Sequence, residues 1–92
     1  MITYKIGQMA LVEEGAVDCP DSIVKFGVIG TPGVIMKING STVKTSDYGI
    51  YELDLIGTGA RITSFEISNE GQPENWSLLF DYVYEVIEGG SL

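Results

Sequence analysis

The dipeptide Asn39-Gly40 constrains this chain more than any other pair of neighbours. Before it, residues 34–38 (VIMKI) alternate, with Val34, Met36 and Ile38 set against Ile35 and Lys37; after it come residues 41–44 (STVK). A two-residue loop with positive φ at both positions is a type I′ turn, whose twist matches a pair of antiparallel strands, and Asn-Gly adopts it at least cost. The register follows: Ile38 lies opposite Ser41 and Met36 opposite Val43, so Met36 and Val43 share one face. Just upstream, Gly30-Thr31-Pro32-Gly33 has the signature of a type II turn, in which proline presets φ and the glycine after it supplies a positive φ.

Alternation recurs along the rest of the chain. Residues 2–6 (ITYKI) set Ile2, Tyr4 and Ile6 against Thr3 and Lys5; Gly7 interrupts, and residues 9–13 form a second apolar run. This opening is one bent strand, two strands, or an arm that orders on a partner. A polar loop runs from Glu13 through Asp18-Cys19-Pro20-Asp21. Residues 22–29 (SIVKFGVI) place Val24, Phe26 and Val28 on one face and Ile23, Lys25, Gly27 and Ile29 on the other, with Gly27 marking a bulge or a close backbone approach. Past a polar connection at 45–49, residues 50–55 (IYELDL) oppose Tyr51, Leu53 and Leu55 to Ile50, Glu52 and Asp54. After Gly57-Thr58-Gly59, residues 62–68 oppose Thr63, Phe65 and Ile67 to Ile62, Ser64, Glu66 and Ser68, and residues 69–75 form a polar loop.

Residues 76–88 (WSLLFDYVYEVIE) read in two ways. Trp76, Leu79, Phe80, Val83 and Ile87 have helical spacing, with Pro73 and Asn75 as start signals; Phe80, Tyr82, Tyr84 and Val86 have strand spacing. The density of aromatic and β-branched residues and the all-β context favour the strand. Gly89-Gly90-Ser91-Leu92 reads as a loose tail. Seven to eight short strands with turn chemistry between them predict an all-β fold, a small antiparallel β-sandwich of Ig-like or jelly-roll-like type. It forms one domain over residues 1–92, with 1–13 a strand or assembly arm.

Chemistry is sparse. The chain has no histidine, which removes the commonest general base and the commonest transition-metal ligand. Cys19 has no base beside it, and Asp18 and Asp21 raise its pKa, so it reads as an inert thiol. Glu52 and Asp54 share a strand face with Cβ atoms about 7 Å apart, a spacing glycosidases use, but alternating acids on a strand are usually its solvated side. Asp18, Asp21 and Asp47 are candidate calcium ligands whose spacing matches no EF-hand loop, and turn-capping is the simpler role. Gly27, Gly30 and Gly33 form no phosphate cradle. Trp76, Tyr82 and Tyr84, with Tyr48 and Tyr51, are candidates for stacking on sugar rings if they share an exposed face. Thirteen Asp and Glu against five Lys and Arg, a net charge of −8, exclude nucleic acid and anionic membranes as partners. No apolar run approaches the roughly 20 residues that span a bilayer, and no basic start leads into an apolar segment, so the chain makes no case for export. A single cysteine in so small a domain favours a reducing cytosol.

The motifs FGVIG, TPG, KING, YGIYELDL and ITSFEI, followed by FDYVYE, resemble those of small structural proteins from tail or other virion modules of phages and prophages of Gram-positive bacteria. The resemblance covers about residues 23–88 and rests on strand and turn motifs. It departs at Lys44-Thr45-Ser46-Asp47, where a more apolar, glycine-bearing approach is expected, and over the N-terminal segment, which matches no part of the pattern. It implies a non-enzymatic virion component, in the tail, baseplate or capsid surface as a decoration subunit, assembled in the host cytoplasm, with no cofactor, metal or catalytic residue. Its partners are then copies of itself and other virion proteins. Ile2, Tyr4, Ile6, Met9 and Leu11 are the candidate residues of an assembly arm. The alternative is a carbohydrate-binding or receptor-binding module that meets a host-surface glycan through Trp76, Tyr82 and Tyr84. Behind both stands a small enzyme or an acidic inhibitor of a basic host protein.

Overall fold

The Asn39-Gly40 turn forms with φ of 50° and 83°, and the hairpin pairs Ile38 with Ser41 and Met36 with Val43, as the turn chemistry dictates. The computed structural model describes residues 2–87, so the expected tail at Gly89-Gly90-Ser91-Leu92 lies outside the described residues. Eight strands run in order: β1 (Ile2–Leu11), β2 (Gly15–Ala16), β3 (Ile23–Gly30), β4 (Ile35–Ile38), β5 (Ser41–Lys44), β6 (Ile50–Asp54), β7 (Phe65–Ile67) and β8 (Leu78–Ile87). Among the described residues there is no helix. Residues 78–87 are strand, so the helical reading of that stretch is overturned.

The pairs are β1 with β8, β2 with β7, β3 with β6, and β4 with β5, all antiparallel. Such a ribbon of pairs, rolled up so that alternate pairs fall in opposite layers, gives two four-stranded sheets, β1-β8-β3-β6 and β2-β7-β4-β5. This eight-stranded, two-sheet arrangement is the jelly-roll member of the sandwich class. The Pro32-Gly33 turn, with Gly33 at φ 76°, carries the chain from one sheet to the other.

Between the sheets lies an aromatic cluster. Phe26 and Phe80 come from one sheet and Phe65 from the other, with ring centroids 5.3, 5.5 and 5.0 Å apart in edge-to-face contact. Such pairs contribute about 0.5–1.5 kcal/mol each beyond the area they bury. Val28, Val34, Met36, Ile38, Ile62, Ile67 and Leu78 close around them.

Several local expectations are corrected. Gly7 does not interrupt β1, which is continuous over ten residues and paired with β8 along its whole length. The reason lies on the neighbouring strand: the Tyr82 ring lies over Gly7, in the space a side chain would fill. The opening is therefore neither two strands nor a detached arm. The expected loop at 13–21 contains β2, which pairs with β7. The bulge in β3 falls at Val24 and not at Gly27. Ile23 lies opposite Tyr84 and Lys25 opposite Val83, which leaves Val24 as the extra residue. Ile23, expected on the face opposite Val24, is consequently buried together with it, at 0% and 1% exposure. Gly27 pairs regularly, and a side-chain Cβ at this position would meet the Glu52 side chain at an ordinary 3.6 Å. The strand expected over 62–68 shrinks to β7, because the Asn39 side-chain oxygen accepts the backbone N–H of Thr63 (2.7 Å) and of Ser64 (3.1 Å) and holds both outside the ladder. Ile62, expected opposite Phe65, is buried instead and bridges to Ile23.

Candidate functional site

Parity along the strands decides what the outer face of the β1-β8-β3-β6 sheet presents, because residues directly opposite each other share a face. The register sets four-residue rows across that face. The first is Ala10, Leu79, Ile29 and Ile50, all apolar and all exposed. The second is Gln8, Asp81, Gly27 and Glu52; Gln8 Nε2 donates to Asp81 Oδ1 at 2.5 Å. The third is Ile6, Val83, Lys25 and Asp54. Beyond it come Tyr4 beside Glu85, whose backbone N–H donates to the Ser22 carbonyl at 3.1 Å, and then Ile2 beside Ile87 at the end of the β1–β8 pair. Arg61 reaches Glu85 here, its Nε donating to Oε1 at 2.7 Å, and forms the one ion pair among the described residues.

Gly27 has no side chain to fill the space between Asp81 and Glu52. An open depression of about 580 Å³ results, lined on its apolar side by Ile6 and Val83 and on its polar side by Lys25, Glu52, Asp54 and Asp81. Glu52 and Asp54 are exposed, as expected of a solvated strand face. Among the described residues no group of three or more His, Cys, Asp or Glu is arranged to hold a metal, so Asp18, Asp21 and Asp47 are not brought together.

The structure divides the candidate arm in two. Ile2, Tyr4 and Ile6 lie on the outer face, where Ile6 is 81% exposed; Met9 and Leu11 lie on the inner face, Met9 packed against the core and Leu11 buried within it. Parity was visible in the sequence, but Gly7 hid that one strand carries both sets. The stacking candidates do not form a shared exposed platform. Trp76 is a core residue at 8% exposure. Tyr82 and Tyr84 are half-buried on the inner face, where Phe80, Tyr82 and Tyr84 lean on one another at 4.8 and 6.0 Å. Tyr51 packs edge-to-face on Phe26. Tyr48 is 87% exposed but stands on the β5–β6 loop, at the opposite end of β6 from Asp54.

Cys19 is half-buried, and its thiol pKa is raised, first by burial and then by the charges of Asp18 and Asp21. The sequence pointed to the two carboxylates; the larger cause is desolvation. The outer-face rows went unseen because each takes its residues from four separate segments. Their signal was Ile29, Ile50 and Leu79, three large apolar residues at polar parity.

No family model matches the chain, and no curated protein or solved structure matches it either.

Proposed function

We propose that this protein is a non-enzymatic structural component of a phage virion, a tail, baseplate or capsid-surface subunit that acts through contacts with copies of itself and with other virion proteins. The observation that carries this reading is the outer face of the β1-β8-β3-β6 sheet. It holds an apolar row at one end (Ala10, Leu79, Ile29, Ile50), further exposed apolar side chains along β1 and β8 toward the other (Ile6, Tyr4, Ile2, Ile87), and acidic residues between. Large apolar side chains in contiguous rows on a small acidic domain suit a surface that is covered in an assembly. The strand order adds support by analogy, since jelly rolls are common in viral capsid domains, although they also serve lectins and cupins. The net charge of −8 keeps such a subunit soluble until it assembles.

The test is to induce particles from a lysogen that carries the gene, purify them on a density gradient and quantify their proteins by mass spectrometry. The chain is expected at a fixed ratio to the major structural proteins after a high-salt wash. Its absence from the particles would refute the reading. Leu79→Glu places a charge in the apolar row at an exposed position, and should cut incorporation at least about tenfold while leaving the folded subunit intact.

A further inference from the structure

The edge of the sheet carries a second, independent observation. β1 is an edge strand ten residues long, roughly 33 Å of backbone, and no strand among the described residues pairs with its outer side. It has none of the usual protections of a free edge beyond one lysine: no proline and no bulge. From the assembly reading above and this edge, we infer that β1 is the contact by which two copies of the chain join, antiparallel, about a two-fold axis through Ile6.

Charge selects a second copy as the occupant. The molecule carries thirteen carboxylates, yet none lies between Ile2 and Leu11; the first in the chain is Glu13. Two copies of an acidic protein repel each other over most orientations, and least where this edge meets its own image. The far edge of the same sheet, β6, is five residues long and carries Glu52 and Asp54, so it repels its image.

Geometry selects the register. A two-fold axis normal to the sheet keeps both outer faces on one side, which requires even-numbered residues to face even-numbered ones. With the axis at Ile6, Ile6 faces the partner's Ile6, Tyr4 faces the partner's Gln8, and Ile2 faces the partner's Ala10. The most exposed apolar side chain of the strand, at 81%, is then covered by its own copy. On the inner face Lys5 meets the partner's Gly7 rather than the partner's Lys5. The ring of Tyr82 lies over Gly7 in each copy, so each ammonium approaches an aromatic face. The product is a continuous eight-stranded sheet that ends on two acidic β6 edges, and the assembly closes at two copies.

Cysteine cross-linking tests the register. Directly opposed residues have Cα atoms about 4.5–5.5 Å apart, within the range of about 4.4–6.8 Å that a disulfide spans. In a Cys19→Ser background, Ile6→Cys should oxidise to a covalent dimer at least about tenfold faster than Gln8→Cys or Tyr48→Cys, because only residue 6 faces itself. Light scattering of the native chain at high micromolar concentration should give twice the 10.0 kDa chain mass. Ile6→Lys, or Tyr4→Lys as a second exposed position, should return single chains with an unchanged circular-dichroism spectrum. Equal oxidation rates at residues 6, 8 and 48, or a dimer that survives Ile6→Lys, would overturn the inference. The two readings fail separately. A chain present in particles but single in solution, with no residue-6 cross-link in the particle, removes the edge contact alone. An edge-paired dimer absent from particles removes the virion role alone.

Discussion

Asn39 acts beyond its own turn. Its Oδ1 accepts from Thr63 N and Ser64 N while its Nδ2 donates to the Arg61 carbonyl at 2.9 Å, so one side chain ties the β4–β5 hairpin to the segment entering β7. Asn39→Gly keeps the positive φ at no steric cost and loses these three bonds and a fourth, from the Thr63 hydroxyl to Oδ1 at 3.1 Å, and is expected to lower unfolding free energy by about 1–2 kcal/mol in urea titration. Asn39→Asp keeps the acceptor and loses only the donor, so its cost should be smaller. If both variants match the native chain, the side chain matters only for φ. Thr45 is the buried counterpart: its Oγ1 donates to the Thr31 carbonyl at 2.7 Å and accepts from Val34 N at 2.9 Å. Thr45→Val preserves shape but leaves both groups unpaired, which predicts a loss of about 1–3 kcal/mol by the same titration, with Thr45→Ser close to native. Thr45 belongs to the polar connection between β5 and β6, and its two bonds give that connection a structural use. At Cys19 the raised pKa means less thiolate at neutral pH. Alkylation by iodoacetamide should therefore be slower than for a free thiol at pH 8 and approach it only as the pH rises further or on addition of urea; a native rate equal to the unfolded rate would contradict this.

At the scale of elements, legibility tracked distance along the chain. The β4–β5 hairpin could be read residue by residue because a two-residue turn leaves no freedom in register. The alternation of β6 and the strand state of residues 78–87 were also legible, from side-chain type and period. The pairing of β1 with β8 was not, since the partners lie at opposite ends of the sequence and no local signal links them. The bulge at Val24 was hidden because Ile23 and Val24 are both apolar and so fit either parity. Gly7 misled most: a glycine in a strand reads as a break, but here it makes room for the neighbouring Tyr82 ring. Of the candidate site, the solvated Glu52 and Asp54 were legible in β6 alone, whereas the depression at Gly27 exists only once β3, β6 and β8 lie side by side. The Gly7 account predicts a coupled pair. Gly7→Ala puts a methyl into the Tyr82 ring and should cost roughly 1–3 kcal/mol. In a Tyr82→Ala background the same change meets no ring, so the double variant should be more stable than the sum of the singles implies. Strict additivity would mean that Gly7 is needed for its backbone and not for the space above it.

For the whole molecule, the balance of charge decides how stability and pairing respond to salt. Thirteen carboxylates and five cations share a surface on which Arg61–Glu85 is the one ion pair among the described residues. Screening weakens attraction and repulsion alike, and with a net charge of −8 repulsion is the larger sum. Added sodium chloride should therefore raise the thermal midpoint. A gain of about 1 kcal/mol corresponds to about 4–8 °C in a domain of this size. The same screening acts on the meeting of two copies, each of which brings the full charge, so the proposed β1 contact should tighten as salt rises. The direction separates this contact from one made by ion pairs between copies, which would loosen under the same titration. Sedimentation equilibrium across a salt series measures it directly. A dimer that strengthens with salt and is lost in Ile6→Lys joins along an apolar, carboxylate-free edge, while one that weakens with salt is held by ion pairs for which β1 supplies no carboxylate.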